Sequence, residues 1–408
     1  MRSVSFGLAI GFLAITFSAC GGDEVKPQPV TPVAPVEAPP PPVVEAPKEE
    51  PKPAPTMAEL QKKTSEGIGL AMNAHDAKKI ASFYTENAVI KFAGMPDLVG
   101  REAIAAMWQR NFDFASGSKG AASRVFVKGD VVVVEFAWTG THTGEMMGIK
   151  ATEKPVGATG VDVMWFSPDG LVKEQHTYTD MGTIMSQIGA SKQKGRPVPT
   201  LNAGAPAVVV STNAPDEAKN LESVNKMWAA FEKKSEADFL ASVTDDGTWD
   251  DMTMPETMKG KAAGKKFFGD VTKAFPDMKV TTTNSWTFGD FVITEATSSG
   301  TQKGAFMGIQ PTKKSVSLHM IDIVQFKDGK IVKGTTYGNG GEMMMQLGLL
   351  PMPGAAKPAT PAAAPAKPAT PAAAPAKPAT PAAAPAKPAT PAAAPAKPAT
   401  PAAPPSKK

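Results

Sequence analysis

The sequence lacks the residues and motifs on which several classes of protein depend. Its 408 residues include one cysteine, Cys20, so a disulfide within the chain is excluded. The four histidines, at positions 75, 142, 176 and 319, show no metal-ligand spacing, and phosphate-loop, zinc-protease and nucleophile-elbow motifs are absent. We therefore expect no metal, no nucleotide and no other cofactor.

The charge of the chain does not favour a nucleic acid as its partner. Removing the seven lysines of the carboxyl-terminal segment from the formal net charge of +4 leaves the rest of the chain at −3. A folded domain that binds nucleic acid is typically basic, and this part of the chain is not.

Most of the 40 prolines lie in two segments, residues 27–55 and 358–405. Both segments combine proline, alanine, valine, lysine and glutamate with almost no aromatic residues, a composition that stays extended because it cannot build a core. The second segment repeats the unit PAAAPAKPAT from Pro361 to Thr400. We predict a proline-rich tether over residues 20–56 and a disordered tail over residues 351–408.

The amino terminus has the pattern of an export signal. Arg2 precedes an apolar run from Phe6 to Phe17, which is shorter than the ~20 residues of a membrane-spanning helix, and small residues lead into Cys20. This ending resembles the lipobox of bacterial lipoproteins. The resemblance implies a signal peptide over residues 1–19, lipidation of Cys20 and attachment to the cell envelope. The absence of aspartate directly after Cys20 is similar to enteric lipoproteins of the outer membrane.

Between these segments the chain contains an internal duplication. Residues 57–190 recur as residues 216–350, joined by a linker over residues 191–215. The clearest stretch aligns Gly144–Asp162 with Gly304–Asp322 without a gap, and eight of its nineteen positions are identical. We therefore predict two domains of one fold.

The patterns within each copy indicate helices followed by strands. Thr56 and Glu59 form a predicted capping box at the start of the first copy. Further helices are predicted over residues 77–84 and 101–112, and strands over residues 124–127, 131–139, 161–166 and 171–179. This order predicts the α+β class, with three helices packed on a curved, mostly antiparallel sheet that forms a cone in each copy.

The hairpin sequence Thr139–Ile149 resembles the hallmark hairpin of SnoaL-like polyketide cyclases and their ester-cyclase relatives, in the nuclear transport factor 2-like superfamily. In the second copy, Ala274–Met278 is similar to the helix-to-strand entry of that family, and Gly308–Lys314 to its glycine-proline-threonine turn. The resemblance covers essentially all of both copies. It implies a cone-shaped fold and leaves the chemistry open, because this fold hosts many activities and binding modules.

Three residues of the last strand in the first copy are candidates for catalysis. Asp180 occupies the position where SnoaL-like cyclases carry their acid/base aspartate, and His176 and Tyr178 share its face by two-residue alternation. If that face is the inside of the cone, the three side chains converge on a pocket. The alternative is that Asp180 caps the helical turn from Met181 to Gln187. The second copy has Asn339 at the position of Asp180.

A second set of residues forms the predicted ligand pocket. Buried strand aspartates are costly unless they are paired, so Asp162 and Asp322, present at matching positions of both copies, are candidates, although each could simply pair with a lysine. Asp250 and Asp251 follow Trp249 near the expected mouth of the second cone and are further pocket candidates, with solvation at the rim as the favoured alternative. The predicted pocket residues are Asp162, Asp322, Trp165, Tyr337 and Asn339.

Two hypotheses for the function follow. The first is a binding protein of the envelope that holds a small apolar ligand or an envelope protein and is not catalytic. The second is a cofactor-free cyclase, isomerase or dehydratase in which Asp180 removes a proton from carbon next to a carbonyl group. In either case the membrane is a partner through the lipid anchor. We also expect the two cones either to pack as a pseudo-dimer or to form a homodimer.

Overall fold

The computed structural model describes residues 54–350. The predicted signal peptide, the predicted lipidation site Cys20, the tether up to residue 53 and the tail from residue 351 lie outside the described residues. The helices and strands belong to one unit that begins at Thr56. Within residues 54–350, every helix is too short or too polar to cross a membrane.

The first half of this unit, called domain 1, begins with helices and continues as a sheet. Oγ1 of Thr56 accepts a hydrogen bond from the N–H of Glu59 at 3.3 Å, and Oε2 of Glu59 accepts one from the N–H of Thr56 at 2.7 Å, which confirms the predicted capping box. The elements are α1 (Met57–Asn73), α2 (Ala77–Ala81), β1 (Tyr84–Phe92), β2 (Leu98–Val99), α3 (Arg101–Phe114), β3 (Ala115–Lys128), β4 (Val131–His142), β5 (Pro155–Phe166), β6 (Val172–Thr179) and α4 (Met181–Ile188).

The second half, called domain 2, repeats the same order of elements. The linker before it contributes one strand, β7 (Ala207–Val210). The elements of domain 2 are α5 (Pro215–Lys233), α6 (Glu236–Leu240), β8 (Val243–Asp251), β9 (Met258–Lys259), α7 (Gly260–Ala274), β10 (Lys279–Phe288), β11 (Phe291–Thr301), β12 (Ser315–Lys327), β13 (Lys330–Gly338) and α8 (Gly340–Gln346).

Each domain has a mixed, mostly antiparallel sheet with helices on one face, so the chain has the α+β fold that the sequence predicts. The strand order is β2-β1-β6-β5-β4-β3-β7 in domain 1 and β10-β11-β12-β13-β8-β9 in domain 2. Among the strands of residues 54–350, parallel pairing is confined to β1 with β6, β3 with β7, and β8 with β13. The helices cover the inner face of each sheet and form the main apolar core of each domain, and a smaller apolar cluster adjoins it in both.

Several features of the sheets differ from the sequence prediction. The helix predicted over residues 77–84 ends at Ala81, and Tyr84 begins β1, which was not predicted as a strand. Strand β3 begins at Ala115, nine residues before the predicted start at Arg124, and the linker adds β7 along its edge. The early part of β3 contains Ser116, Gly117 and Gly120, which have low strand propensity. Antiparallel pairing with β4 nevertheless holds this segment in the sheet, because backbone hydrogen bonds do not depend on the side chain.

The outer faces of the two sheets pack against each other. Phe126 of domain 1 and Phe288 of domain 2 are both fully buried, with ring centroids 5.3 Å apart. Trp165 of domain 1 and Trp286 of domain 2 lie 5.9 Å apart. Burying a large apolar side chain stabilises a fold by roughly 1.5–3 kcal/mol. This interdomain core therefore holds the two domains together as a pair of cones joined back to back.

Glu217 fastens the start of domain 2 to its own sheet. Its carboxylate is buried and accepts hydrogen bonds from the N–H groups of Thr212 and Gly289, at 3.0 Å and 2.7 Å. The hydroxyl of Thr287 donates a further one at 2.9 Å. Burial raises the pKa of Glu217, but these hydrogen bonds outweigh that effect and lower it to about 2. The side chain therefore stays ionised and ties α5 to the hairpin of β10 and β11.

Candidate functional site

The face of β6 that carries the predicted catalytic residues is the outer face of domain 1. His176 and Tyr178 do share one face of the strand, but this face packs on domain 2 and does not line the inside of the cone. Oη of Tyr178 donates a hydrogen bond to Oε1 of Glu295 in domain 2 at 2.9 Å, and Nδ1 of His176 lies 2.7 Å from the same oxygen. The hypothesis that this face points into the cone is therefore wrong. Gln175 and Thr177, the alternate residues, face the interior.

The hydrogen bond from Tyr178 of domain 1 to Glu295 of domain 2 has a counterpart in which domain 2 supplies the tyrosine and domain 1 the glutamate. Oη of Tyr337 in domain 2 donates a hydrogen bond to Oε1 of Glu135 in domain 1. Burial raises the pKa of Tyr178 and of Tyr337, and the carboxylate that each one contacts raises it further. Both phenols therefore remain protonated near neutral pH and act as hydrogen-bond donors across the interface. Tyr337, predicted as a pocket residue, belongs to this interface.

The environment of His176 also belongs to the interface. Its ring packs on Trp165 with centroids 4.6 Å apart, and its Nε2 lies 3.0 Å from Oε1 of Glu174. Burial lowers the pKa of His176, but the hydrogen bond and charge of Glu295 and the hydrogen bond to Glu174 together outweigh this effect, so the net pKa is raised. Trp165, predicted as a pocket residue, is a packing partner in the interdomain core.

Asp180 caps a helix, which is the alternative that the sequence left open. Its Oδ1 and Oδ2 accept hydrogen bonds from the N–H groups of Gly182 and Thr183 in α4, at 3.0 Å and 2.8 Å. Oδ1 also accepts one from the N–H of Gly340 in α8 of domain 2, at 2.8 Å. Burial raises the pKa of Asp180, and these hydrogen bonds oppose the increase. The carboxylate therefore accepts hydrogen bonds from the amino termini of two helices, α4 and α8.

Asn339 has the matching position in domain 2. Its Oδ1 accepts a hydrogen bond from the N–H of Gly341 in α8 at 3.0 Å and from the N–H of Met181 in α4 at 3.4 Å. Its Nδ2 donates to the carbonyl oxygen of Ala93 in domain 1 at 2.9 Å. Asn339 therefore caps its own helix and joins the interface, and it also borders the interior of domain 2.

The interior of domain 2 contains a cavity of about 170 Å³, called the domain 2 cavity. Strands β8, β12 and β13 and helices α5 and α7 supply its walls. Its aromatic lining consists of Trp228, Phe239, Trp249, Phe267, Phe275 and Phe306. Met227, Met258, Met278, Met307 and Met343 add flexible apolar surface. Apolar walls with a few polar groups are typical of small-molecule sites.

Domain 1 fills the equivalent space with larger side chains. The matching ladder positions place Tyr84 where domain 2 has Val243, and Gln175 where domain 2 has Gly334. Oη of Tyr84 donates a hydrogen bond to Oε1 of Gln175 at 2.5 Å, and both side chains are buried. In domain 2 a Cβ on Gly334 would lie only 2.2 Å from the ring of Trp249. The glycine therefore lets the indole turn sideways along the wall of the cavity.

Helix α7 contributes a small residue to the lining of the domain 2 cavity. Gly264 lines the cavity, and the matching position of α3 in domain 1 carries the fully buried Ile104. The predicted pocket shares Asn339 with the domain 2 cavity, but the chemical groups of each copy do not indicate which domain has the open interior. The usable signal was the difference between the copies, in which small residues replace large ones at Val243, Gly264 and Gly334.

Asp162 and Asp322, which occupy matching positions in the two domains, lie on the inner faces of their sheets. Oδ1 of Asp162 accepts a hydrogen bond from Oγ1 of Thr177 at 2.7 Å, and Oδ1 of Asp322 accepts one from Oγ1 of Thr336 at 2.6 Å. Burial raises the pKa of each carboxyl group to about 7, and the threonine hydrogen bond opposes this in both. Thr336 lines the domain 2 cavity and also accepts a hydrogen bond from Nε1 of Trp249 at 2.9 Å.

Asp251 is the carboxylate that lines the domain 2 cavity directly. Its Oδ1 accepts hydrogen bonds from the N–H and Oγ1 of Thr253, at 2.9 Å and 2.7 Å. Burial raises the pKa of Asp251, Thr253 opposes the increase, and the charge of Asp180 adds to it. The neighbouring Asp250 is held instead by Arg196 of the linker, with Nη1 and Oδ1 3.2 Å apart.

In both Asp322 and Asp251, the hydrogen bonds described above use Oδ1 and leave Oδ2 without a donor among the described residues. Oδ2 of Asp322 is buried and has no hydrogen-bond partner among residues 54–350. The charge of Asp251 contributes to the raised pKa of Asp322, so the two carboxyl groups interact electrostatically. Within the same residues, histidine, cysteine, aspartate and glutamate form no cluster arranged to hold a metal ion.

Comparison with known proteins assigns both halves of the chain to one kind of domain. Residues 65–188 and 222–347 match the SnoaL-like polyketide cyclase family. No curated protein matches the chain. Among solved structures, AclR from Streptomyces galilaeus is 27% identical, with a TM-score of 0.30, and the match covers 33% of this chain and 99% of AclR.

Two further solved structures match to a similar extent. IdmH from Streptomyces antibioticus is 23% identical with a TM-score of 0.29, and the match covers 32% of this chain and 98% of IdmH. TsrD from Streptomyces laurentii is 20% identical with a TM-score of 0.31, and the match covers 34% of this chain and 100% of TsrD.

Proposed function

We propose that this chain, which belongs to the SnoaL-like polyketide cyclase family, is a binding protein whose domain 2 cavity holds a small apolar molecule. Domain 1 serves as the structural partner that completes the back of domain 2. The observation that carries this proposal is the difference between the two interiors, one filled by Tyr84, Gln175 and Ile104 and the other open.

The size and lining of the domain 2 cavity support a small ligand. A dry cavity of about 150 Å³ lined by apolar side chains is large enough for benzene in another protein. The cavity of about 170 Å³ in domain 2 is comparable and has aromatic walls. An occupant would recover dispersion contacts that the walls otherwise lack, which favours binding of a molecule with similar dimensions.

The interdomain contacts support the division of labour between the domains. Asp180, His176 and Tyr178 all contact domain 2 or cap α4, and the domain 2 cavity is lined without them. The groups that a catalytic cone would use are thus engaged in holding the pair of domains together. A binding role for domain 2 requires only that the cavity stay open and accessible.

A pair of substitutions in one helix tests this proposal. Gly264→Ile places in domain 2 the residue that fills domain 1, and Gly269→Ile makes the same change at a position with open space around it. Both changes introduce a β-branched residue into α7 and so carry the same cost in helix propensity. We expect toluene to bind the full-length protein and the Gly269→Ile variant, measured by calorimetry, and to lose binding in Gly264→Ile.

The outcomes separate the possibilities. Equal binding of toluene to both variants would place the ligand elsewhere and overturn the proposal. Failure of the unsubstituted protein to bind toluene, benzene or cyclohexane would do the same.

We further propose that a lipid on Cys20 holds this binding protein at the cell envelope, in the outer membrane. The support is the sequence pattern of residues 1–22. Incorporation of radioactive palmitate in the producing bacterium should be lost in Cys20→Ala. Label retained in that variant would refute lipidation at this residue.

A further inference from the structure

We infer that the molecule held in the domain 2 cavity is a protonated amine with apolar substituents. This inference rests on the proposed function, since it names the ligand class of the same cavity. It follows from the combination of aromatic walls and of two carboxyl groups, Asp251 and Asp322, that form no ion pair within residues 54–350.

The carboxylates stand at one side of the cavity. Asp251 lines it, and its Oδ2 receives no hydrogen bond among the described residues, while Oδ1 is held by Thr253. Asp322 lies behind Thr336 on the same inner face of the sheet, fully buried and with Oδ2 unpartnered. A buried carboxylate without a partner is costly, and a cation beside it removes that cost.

The positive groups near the cavity are engaged with other acids. Lys261 borders the cavity and pairs with Asp245, with Nζ and Oδ1 2.8 Å apart. His319 also borders it, and its Nδ1 lies 2.7 Å from Oε1 of the buried Glu342. Neither cation is paired with the carboxylates of the cavity.

The remaining neighbours of Asp251 are one arginine and one acid. Nη2 of Arg196 donates to the backbone carbonyl of Asp251 at 3.1 Å, while its Nη1 faces Asp250. The charge of Asp180 in domain 1 raises the pKa of Asp251, the charge of Arg196 lowers it, and with burial the net pKa is raised. The pKa of Asp322 is raised to about 7 by burial. The cavity therefore has an excess of acidic groups, and an anionic ligand would be repelled.

The aromatic walls suit the same ligand class. The rings of Trp228 and Trp249 line the cavity, with centroids 5.8 Å apart and planes at 89°. The face of an indole attracts a cation, and the effect grows when the cation is withdrawn from water. The apolar substituents of an amine would contact the phenylalanines and methionines of the lining. The ammonium group would donate a hydrogen bond to Oδ2 of Asp251.

A matched series of ligands tests the inference in the full-length protein. Benzylamine, benzyl alcohol and toluene share a ring and differ in the charged, neutral polar or apolar end. At pH 8, calorimetry should give benzylamine about tenfold or more tighter binding than benzyl alcohol, because only the cation pairs with a carboxylate. Asp251→Asn keeps an oxygen for Thr253 and should remove this preference. Asp162→Asn, the control in the filled domain 1, should leave it unchanged.

The pH profile of the unsubstituted protein provides a measurement that needs no variant. Benzylamine stays protonated between pH 5.5 and pH 8, as alkylammonium groups with a pKa near ~10 do. Its affinity should rise with pH across this range, because the carboxyl groups must be ionised to attract it. Binding should also release a proton, detected as a dependence of the measured heat on the ionisation enthalpy of the buffer.

Each outcome has a distinct meaning. Benzyl alcohol and toluene binding as tightly as benzylamine would overturn the amine inference and leave the proposed function standing. A benzylamine affinity independent of pH would overturn it as well. Absence of binding by all three compounds would remove both the inference and the proposed function.

Discussion

Asp180 and Asn339 cap each other's helices across the interface between the two domains. Asp180 accepts a hydrogen bond from Gly340 at the start of α8, and Asn339 accepts one from Met181 at the start of α4. Each also caps its own helix. An aspartate in both places would bring two negative charges to one buried location. The asparagine avoids this and uses its amide group to donate to Ala93.

The first prediction concerns this pair. Asn339→Asp should destabilise the protein by about 1–3 kcal/mol at pH 7, because it adds a buried like charge and removes the donor to Ala93. The loss should diminish at pH 4, where the carboxyl groups become protonated. Urea unfolding at the two pH values measures both effects. An equal loss of stability at pH 4 and pH 7 would contradict the electrostatic explanation.

The second prediction concerns the tyrosines of the interface. Tyr178→Phe and Tyr337→Phe each remove a hydrogen bond to a buried glutamate and should lower the free energy of unfolding by about 1–3 kcal/mol. Toluene binding should stay within about twofold of the unsubstituted protein, because neither hydroxyl lies in the domain 2 cavity. Loss of binding by folded Tyr178→Phe would instead assign this residue a role in the site.

The third prediction concerns the buried carboxyl group of Asp322. Its pKa is about 7 in the folded protein and about 3.9 in an unfolded chain, so the folded state retains a proton that the unfolded state has released. This contribution to stability is complete below pH ~4 and is lost as the pH rises to ~7. The loss is at most about 4 kcal/mol.

The variant Asp322→Asn cannot lose a proton and should therefore show a smaller decline of stability between pH 4 and pH 8. The control is Asp246→Asn, which changes an exposed aspartate of β8. Chemical unfolding across this pH range provides the measurement. A pH profile identical to that of the unsubstituted protein would show that Asp322 keeps an ordinary pKa.

The fourth prediction concerns Glu217, whose pKa is lowered in the folded protein, so its contribution to stability is lost at low pH rather than at high pH. Glu217 has a pKa of about 2 in the folded protein, because four hydrogen bonds from Thr212, Thr287 and Gly289 outweigh its burial. Its contribution to stability is present above pH ~4 and is lost as the pH falls toward 2. Glu217→Gln should cost on the order of 3 kcal/mol at pH 7 and progressively less below pH 4.

The control for this variant is Glu222→Gln, which alters an exposed glutamate of the same helix and should leave stability nearly unchanged. A loss in Glu217→Gln that stays constant between pH 7 and pH 2.5 would mean that the ionised form has no advantage over the amide.

The sequence predicts the capping box at Thr56 and the hairpins because these depend on residues close together in the chain, and it predicts the duplication because two of its segments align directly. It does not predict which face of β6 lies inside the cone. Alternation defines two faces of a strand, and the inner one is identified when only one face is buried. In β6, both Thr177 and Tyr178 are buried, because helices cover one side and domain 2 covers the other.

The domain 2 cavity was hidden for a different physical reason. An open interior is a difference in volume, and volume depends on how side chains from several elements meet. Gly334 in β13 opens space for Trp249 in β8, and these residues are 85 positions apart in the chain. The residue pattern of a single strand or helix therefore does not predict that contact.

The covalent link between the two cones has a consequence for how the protein can change. In a homodimer of identical chains, every substitution occurs twice, so a residue near the symmetry axis always meets its own copy. Here one gene encodes both halves, and each position can vary alone. Asp180 can face Asn339, and Tyr84 can close one interior while Val243 leaves the other open. Fusion thus converts a symmetric pair into two specialised partners without loss of their shared interface.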